Sequence, residues 1–220
     1  LGKRDLRRQE QQNAMLDAVL GLLKEQGFEG ITMALIAKHM GASVGGLYRY
    51  YPSKEAVYAA LQLRALERFD AHVLSRMAAC GEPKTRRDAL ERVIRYAESW
   101  STFRIDHPHL FAVLDQSLSS PHNALDAEGR ALVDERLAPI LDRLSTLLDT
   151  AVQHAALKPG SPVERTQLLW AAMHGIEHFR KRIADPQSNE IQRLRSAMLS
   201  TLLHGWGAAK GLTDVVLPTH

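Results

Sequence analysis

Residues 41–54 read GASVGGLYRYYPSK. Ser43 is a good N-cap, and Pro52 stops whatever helix precedes it. The spacing therefore predicts a short helix from Val44 to about Tyr51. That helix carries Gly45 and Gly46 side by side in its first turn. Each costs a helix about 0.8–1 kcal/mol relative to Ala. Two readings account for the pair. The glycines relax a tight turn, or they let another surface approach bare backbone, where a helix start offers free N–H groups and a positive dipole end.

The flanking sequence places this helix. Thr32 caps a helix predicted over Met33–Met40, and Gly41 breaks it where a positive φ suits a turn. The small Ala37, four residues before Gly41, lets the following helix pack closely. Further upstream, Met15, Ala18, Val19, Leu22 and Leu23 fall on one face of an amphipathic helix that Gly27 ends. Phe28 and Ile31 should then fold back toward the core. Three helices in this order describe a helix-turn-helix. Val44, Leu47 and Tyr51 are predicted to face the core, leaving Gly45, Gly46, Tyr48, Arg49 and Tyr50 outside.

The rest of the chain also reads as helix. Ser53 caps a long helix to about Ala79, and CGEPKT (80–85) breaks it. Helices are predicted at about 86–106, after Pro108, at about 130–157 despite Pro139, at 163–183 and at 189–209. GLTDVVLPTH (211–220) reads as a loose tail. The fold class is all-α, with an N-terminal three-helix DNA-binding domain expected over 1–54 and a helical domain over 55–220.

Composition agrees with a globular chain: 220 residues, 45% hydrophobic and 24% charged. No apolar run approaches the roughly 18 residues of a membrane span. The polar start, LGKRDLRRQEQQ, does not read as a signal peptide. Cys80 is the single cysteine, so no internal disulfide forms; a buried, inert thiol in a reducing cytoplasm is expected. Residues 1–64 hold nine basic and six acidic groups, a surplus of three that equals the net charge of the whole chain, +3. The front end therefore favours an anionic partner.

The stretch ITMALIAKHMGASVGGLYRYYPSKEAVYAAL (31–61) resembles the DNA-binding segment of TetR-family transcriptional regulators. The shared pattern is Thr32, Ile36-Ala37, Gly41, Ser43, a small pair at Gly45-Gly46, Leu47-Tyr48, the aromatics Tyr50-Tyr51, then Ser53 and Lys54. It extends back through MLDAVLGLLKEQGFEG and covers about the first quarter of the chain. Carried over by position, the resemblance implies phosphate contacts from Thr32, Ser43, Tyr48, Tyr50 and Lys54, which position a protein without reading sequence. It places Val44, Gly45 and Gly46 against bases. Arg49 could pair with a guanine or reach a phosphate. Lys3, Arg4, Arg7 and Arg8 form a basic arm that could lie along DNA or be a solvated tail.

The resemblance further implies a C-terminal domain that binds a small-molecule effector and forms a homodimer. Ile176 and Phe179 on the penultimate helix, and Ile191, Leu194, Met198, Leu202 and Trp206 on the last, are candidates for the dimer face; filling the monomer core is the alternative. Trp100, Phe103, His107, Phe111 and Leu114 cluster around Pro108, and Trp170, Met173 and His174 lie on a later helix that could face them as an effector pocket. Core packing is the simpler reading of any single one of these aromatics. His174 and His178 have a chelating i, i+4 spacing beside Glu177, yet satisfied histidines are the simpler reading, and neither metal nor cofactor is expected. The expected function is that of a cytoplasmic, ligand-released repressor on a palindromic operator. An architectural DNA-binding protein without ligand control is the main alternative. A helical enzyme is weaker, because no GxSxG, HExxH or phosphate-binding Gly loop is present.

Overall fold

The computed structural model describes residues 2–27, 29–119, 125–180 and 189–216. Among them there are helices and no strand: α1 (Lys3–Gln26), α2 (Met33–Met40), α3 (Val44–Leu47), α4 (Lys54–Ala78), α5 (Arg86–Asp106), α6 (Pro108–Ser119), α7 (Ala127–Gln153), α8 (Pro162–Phe179), α9 (Glu190–Gly205) and α10 (Lys210–Val216). None is long and apolar enough to cross a membrane. The expectation for Phe28 lies outside the described residues.

Contacts divide the chain into two compact units, 1–67 with 107–136, and 68–106 with 137–220. In the first, α1 packs on α2 and α6, and α2 on α3. The stripe read from sequence supplies the core: Met15, Val19 and Leu22 are buried, joined by Ile31, Ile36, Ala37 and Leu47. Full burial of such aliphatic side chains stabilises by about 1.5–3 kcal/mol each. Gly27 and Gly41 both take positive φ, as helix-ending glycines do. An ion pair, Arg64 to Asp17 at 2.7 Å, ties α4 to α1.

In the second unit, α8 packs on α5 and α9, and α10 packs on α5 and α9. The α5 N-terminus is fixed by a reciprocal cap. Asp88 Oδ2 accepts from the backbone N–H groups of Lys84 and Thr85, and Thr85 Oγ1 accepts from Asp88 N–H. Hydrogen bonds to its carboxyl, from the Lys84 N–H first and the Thr85 hydroxyl next, hold Asp88 below the usual carboxylate range.

Four expectations change. Residues 210–216 are helical rather than a loose tail, because Thr213, 1% exposed, is anchored. Its hydroxyl donates to Lys210 O and accepts from His204 Nε2 at 2.6 Å. The helix predicted from Val44 to about Tyr51 ends at Leu47, and residues 48–50 form turns. In so short a helix only Leu47 points inward, so Val44 is 38% exposed instead of facing the core. Cys80 is only half-buried, in the turn after α4, with its thiol directed at Arg76 O. Lys3–Arg8, expected as a basic arm or a solvated tail, form the exposed first turns of α1.

Candidate functional site

The helix-turn-helix face is built from α2, the Gly41 turn and α3. Gly41 adopts φ 62°, ψ 29°, which turns the chain sharply enough for Ser43 to cap α3. Thr32 Oγ1 accepts from Leu35 N–H at 3.1 Å, and Ser43 Oγ accepts from Gly46 N–H at 3.1 Å. Each hydroxyl thus serves as an acceptor within the fold and keeps its own hydrogen to donate outward. Ser53 caps α4 in the same way through Ala56 N–H.

Leu47 and Tyr51 anchor this face from below. Burial raises the Tyr51 phenol, with Arg64 opposing, so it stays protonated in its packed position. Above them Thr32, Ser43, Val44, Gly45, Tyr48 and Arg49 are exposed, and Gly46, Tyr50 and Lys54 are half-buried. Tyr48 presents half of its surface to solvent.

The two glycines separate here. A Cβ on Gly46 would sit 3.0 Å from Ser43 Oγ and 3.8 Å from Arg49 Nη2, so the cap itself accounts for that glycine. A Cβ on Gly45 would meet nothing within 4 Å, and its φ is not positive. Neither packing nor backbone geometry within the chain explains Gly45.

The aromatic residues expected to form an effector pocket fall into both compact units. In the second, His174 joins Trp170 (5.0 Å, edge-on) to Trp100 (4.2 Å, tilted). Phe69 carries the chain of rings on to Trp100 and Phe103, and His72 stacks edge-on to Phe103. Phe69 and His72 are members that sequence reasoning missed; they lie thirty residues upstream of the cluster read from Pro108. Met173 is buried on α8. His107, Phe111 and Leu114 belong to the first unit, where Phe111 and Leu114 are buried and His107 is half-buried. His174 Nδ1 lies 2.8 Å from Trp170 O and must be the donor, since a carbonyl only accepts.

Among the described residues no three of His, Cys, Asp and Glu come together so as to hold a metal ion. His178 is exposed, and Glu177 is engaged elsewhere. Its carboxylate, 1% exposed, meets Arg104, Arg180 and Arg195 and accepts from Ser101 Oγ at 2.9 Å. That cluster was not foreseen. Of the candidate dimer residues, Phe179 is 49% exposed. Ile176, Leu194, Met198, Leu202 and Trp206 are half-buried, and Ile191 is buried. The outward stripe of α8 includes the small residues Ala171 and Gly175, and that of α9 includes Ala197, Thr201 and Gly205.

Comparison with known proteins agrees with this geometry. Residues 15–61 match the family described as bacterial regulatory proteins, tetR family. The HTH-type transcriptional repressor KstR of Rhodococcus jostii is 29% identical over 147 residues, 66% of this chain and 63% of KstR, so the match spans a little under two thirds of that relative. The nucleoid occlusion factor SlmA of Mannheimia succiniciproducens is 30% identical over 72% of this chain and 67% of SlmA. The crystal structure of AibR in complex with isovaleryl coenzyme A and operator DNA superposes with a TM-score of 0.67 at 20% identity, covering 87% of this chain and 97% of AibR. With its helix-turn-helix in place and its all-helical fold shared along nearly its whole length, the chain belongs to the tetR family of bacterial regulatory proteins.

Proposed function

We propose that this protein is a homodimeric, DNA-binding repressor of transcription that a small-molecule effector releases from a palindromic operator. The observation that carries the reading is Gly45, a glycine on an exposed helix-turn-helix face that nothing inside the chain requires. A base edge close to bare backbone requires it. Thr32, Ser43, Tyr48, Tyr50 and Lys54 would donate to phosphates. Val44, Gly45 and Gly46 would lie against bases, and Arg49 would supply the long donor. With so few side chains for direct readout, DNA shape would carry part of the specificity.

In this reading the head over 1–54 binds DNA, and the body over 55–220 binds effector and pairs. Phe179 with the outward small residues of α8 and α9 would let two copies approach closely. Pairing would set the recognition helices about 34–36 Å apart, one turn of DNA. Effector would shift the population toward a different spacing. Trp100, Phe103, Trp170, Met173 and His174, all in the second unit, are the candidate effector contacts. The relatives named as transcriptional repressor and the operator-bound AibR support a regulator rather than a catalyst, working in the cytoplasm where its operator lies.

The test is selection from a pool of random duplexes with purified protein at near-physiological salt. Recovery of a palindromic motif is the expected result. Uniform weak binding that collapses with salt and yields no motif would leave only a phosphate-driven architectural protein.

A further inference from the structure

Three guanidinium groups converge on one carboxylate in the second unit. Arg104 Nε lies 2.8 Å and Arg180 Nε 3.6 Å from Glu177 Oε2, and Arg195 Nη2 donates to Oε1 at 2.9 Å. Ser101 Oγ donates to the same Oε1. The formal charge is three positive against one negative. Each guanidinium offers five N–H donors, whereas a carboxylate offers about four lone-pair sites. Satisfaction is also incomplete: Arg104 Nε, Arg180 Nε and Glu177 Oε2 are buried and have no hydrogen bond of acceptable geometry. Arg104 and Arg180 stand at the C-terminal ends of α5 and α8, whose carbonyls contribute roughly half a negative charge each. That leaves the cluster cationic, and a partly satisfied polar network in a low dielectric favours a further partner of opposite charge.

We propose that this cluster receives the acid head group, carboxylate or phosphate, of an amphiphilic small molecule whose apolar body lies along the Trp100–His174 stack. Trp100 directly precedes Ser101, and His174 lies one helical turn before Glu177, so the stack and the cluster share α5 and α8. Glu177 itself is closed to solvent. The side chains of Arg180, Arg104 and Arg195 are 38%, 23% and 20% exposed, so an incoming anion reaches the cations first. Their planar forks suit carboxylate and phosphate alike. The inference rests on the effector reading above and gives the effector its chemical class.

The test uses the full-length protein with three probes of one chain length: hexanoate, hexyl phosphate and 1-hexanol. Binding is read by calorimetry and by tryptophan fluorescence at constant ionic strength. At least one acid probe should bind saturably, one per chain, at least tenfold more tightly than hexanol. The better of the two acids identifies the head group. Arg180→Gln, at a helix end and the most exposed of the three arginines, should weaken the acid at least tenfold and leave hexanol unchanged. Glu177→Gln removes the competing negative charge, so acid affinity should rise several-fold even as thermal stability falls. A merely structural cluster would not give that opposition. Equal affinity for acid and alcohol, no saturable binding of either acid, or acid affinity indifferent to both substitutions would overturn the proposal. Operator selection reads the regulator function independently, so a recovered motif without acid binding would sink this inference alone.

Discussion

Gly45→Ala should make the protein more stable and a poorer DNA binder at once. The added Cβ meets nothing within 4 Å, and the backbone at residue 45 is not in the left-handed region. Replacing glycine by alanine in a helix at such a position stabilises by about 0.4–1 kcal/mol, partly by restricting the unfolded chain. For a chain of this length that amounts to a Tm rise of about 2–4 °C per kcal/mol. If a base edge packs on the bare backbone, the same methyl is an overpacked contact and costs about 1–3 kcal/mol per half-site. That is about 5- to 150-fold per half-site, and over the two half-sites of the operator about 2–6 kcal/mol, or roughly 30- to 20,000-fold in affinity. The assay is fluorescence anisotropy on the selected operator at fixed salt, beside a thermal melt. The salt dependence should keep its slope, since no phosphate contact is removed. Gly46→Ala is the contrast: its Cβ presses on Ser43 Oγ at 3.0 Å, so stability itself should fall as the cap loosens. A Gly45→Ala protein with a raised Tm and operator affinity within twofold of the parent would refute the placement of Gly45 against DNA.

Arg165 is 7% exposed, its charge lies over the Trp206 ring at 5.5 Å, and among the described residues its Nη1 has no hydrogen bond. The stack is worth about 0.5–2 kcal/mol against a desolvation penalty of several, so Arg165→Met should leave Tm unchanged or raise it; a fall of several degrees would contradict this balance. Asp88 has a lowered pKa, so its contribution is fully present above the unfolded carboxyl value of about 3.9 and is lost as pH falls through the lower folded value. Asp88→Asn should therefore lower Tm at pH 7 and flatten the fall in Tm below about pH 4; parallel pH profiles would count against the cap. Thr213→Val keeps the shape but strands the His204 Nε2–H, at about 1–3 kcal/mol, and should free residues 210–216 to rapid hydrogen exchange. Unchanged protection there would mean that packing on α5 and α9 suffices.

Local signals in the sequence located the helix-turn-helix because every device in it is local. Thr32, Ser43 and Ser53 act on N–H groups three residues away, and Gly41 acts on its own φ. Periodicity worked over the long α1, where Met15, Val19 and Leu22 recur on one face over about two turns. It failed over the four residues of α3, too few to define a face, and so misplaced Val44. The ordered 210–216 segment was illegible because its anchor is a bond from Thr213 to His204 and packing on α5, neither of which a seven-residue pattern announces. Glu177 shows the same limit more sharply. The i, i+4 spacing of His174 and His178 drew attention to metal chemistry. The true partners of Glu177 at 101, 104 and 195 depend on how three helices register against one another.

The two anion-binding readings differ in a property that salt can separate. In the proposed function the front face would meet DNA with exposed cations such as Arg49. Charges of that kind are screened beyond about 8–10 Å at 0.1–0.15 M salt, and displaced counterions make DNA affinity fall as a power of salt concentration. The Glu177 cluster holds its guanidiniums at 20–38% exposure around a closed carboxylate, where screening is weaker. Raising salt from about 50 to 200 mM should thus lower operator affinity by orders of magnitude for six to ten phosphate contacts, while the affinity of the acid probe changes by only a few-fold. Measured on one preparation, the two slopes need no variant and no assumption about stability. A hexanoate or hexyl phosphate affinity that fell as steeply as operator affinity would place the acid on an exposed cationic surface and not in the cluster around Glu177.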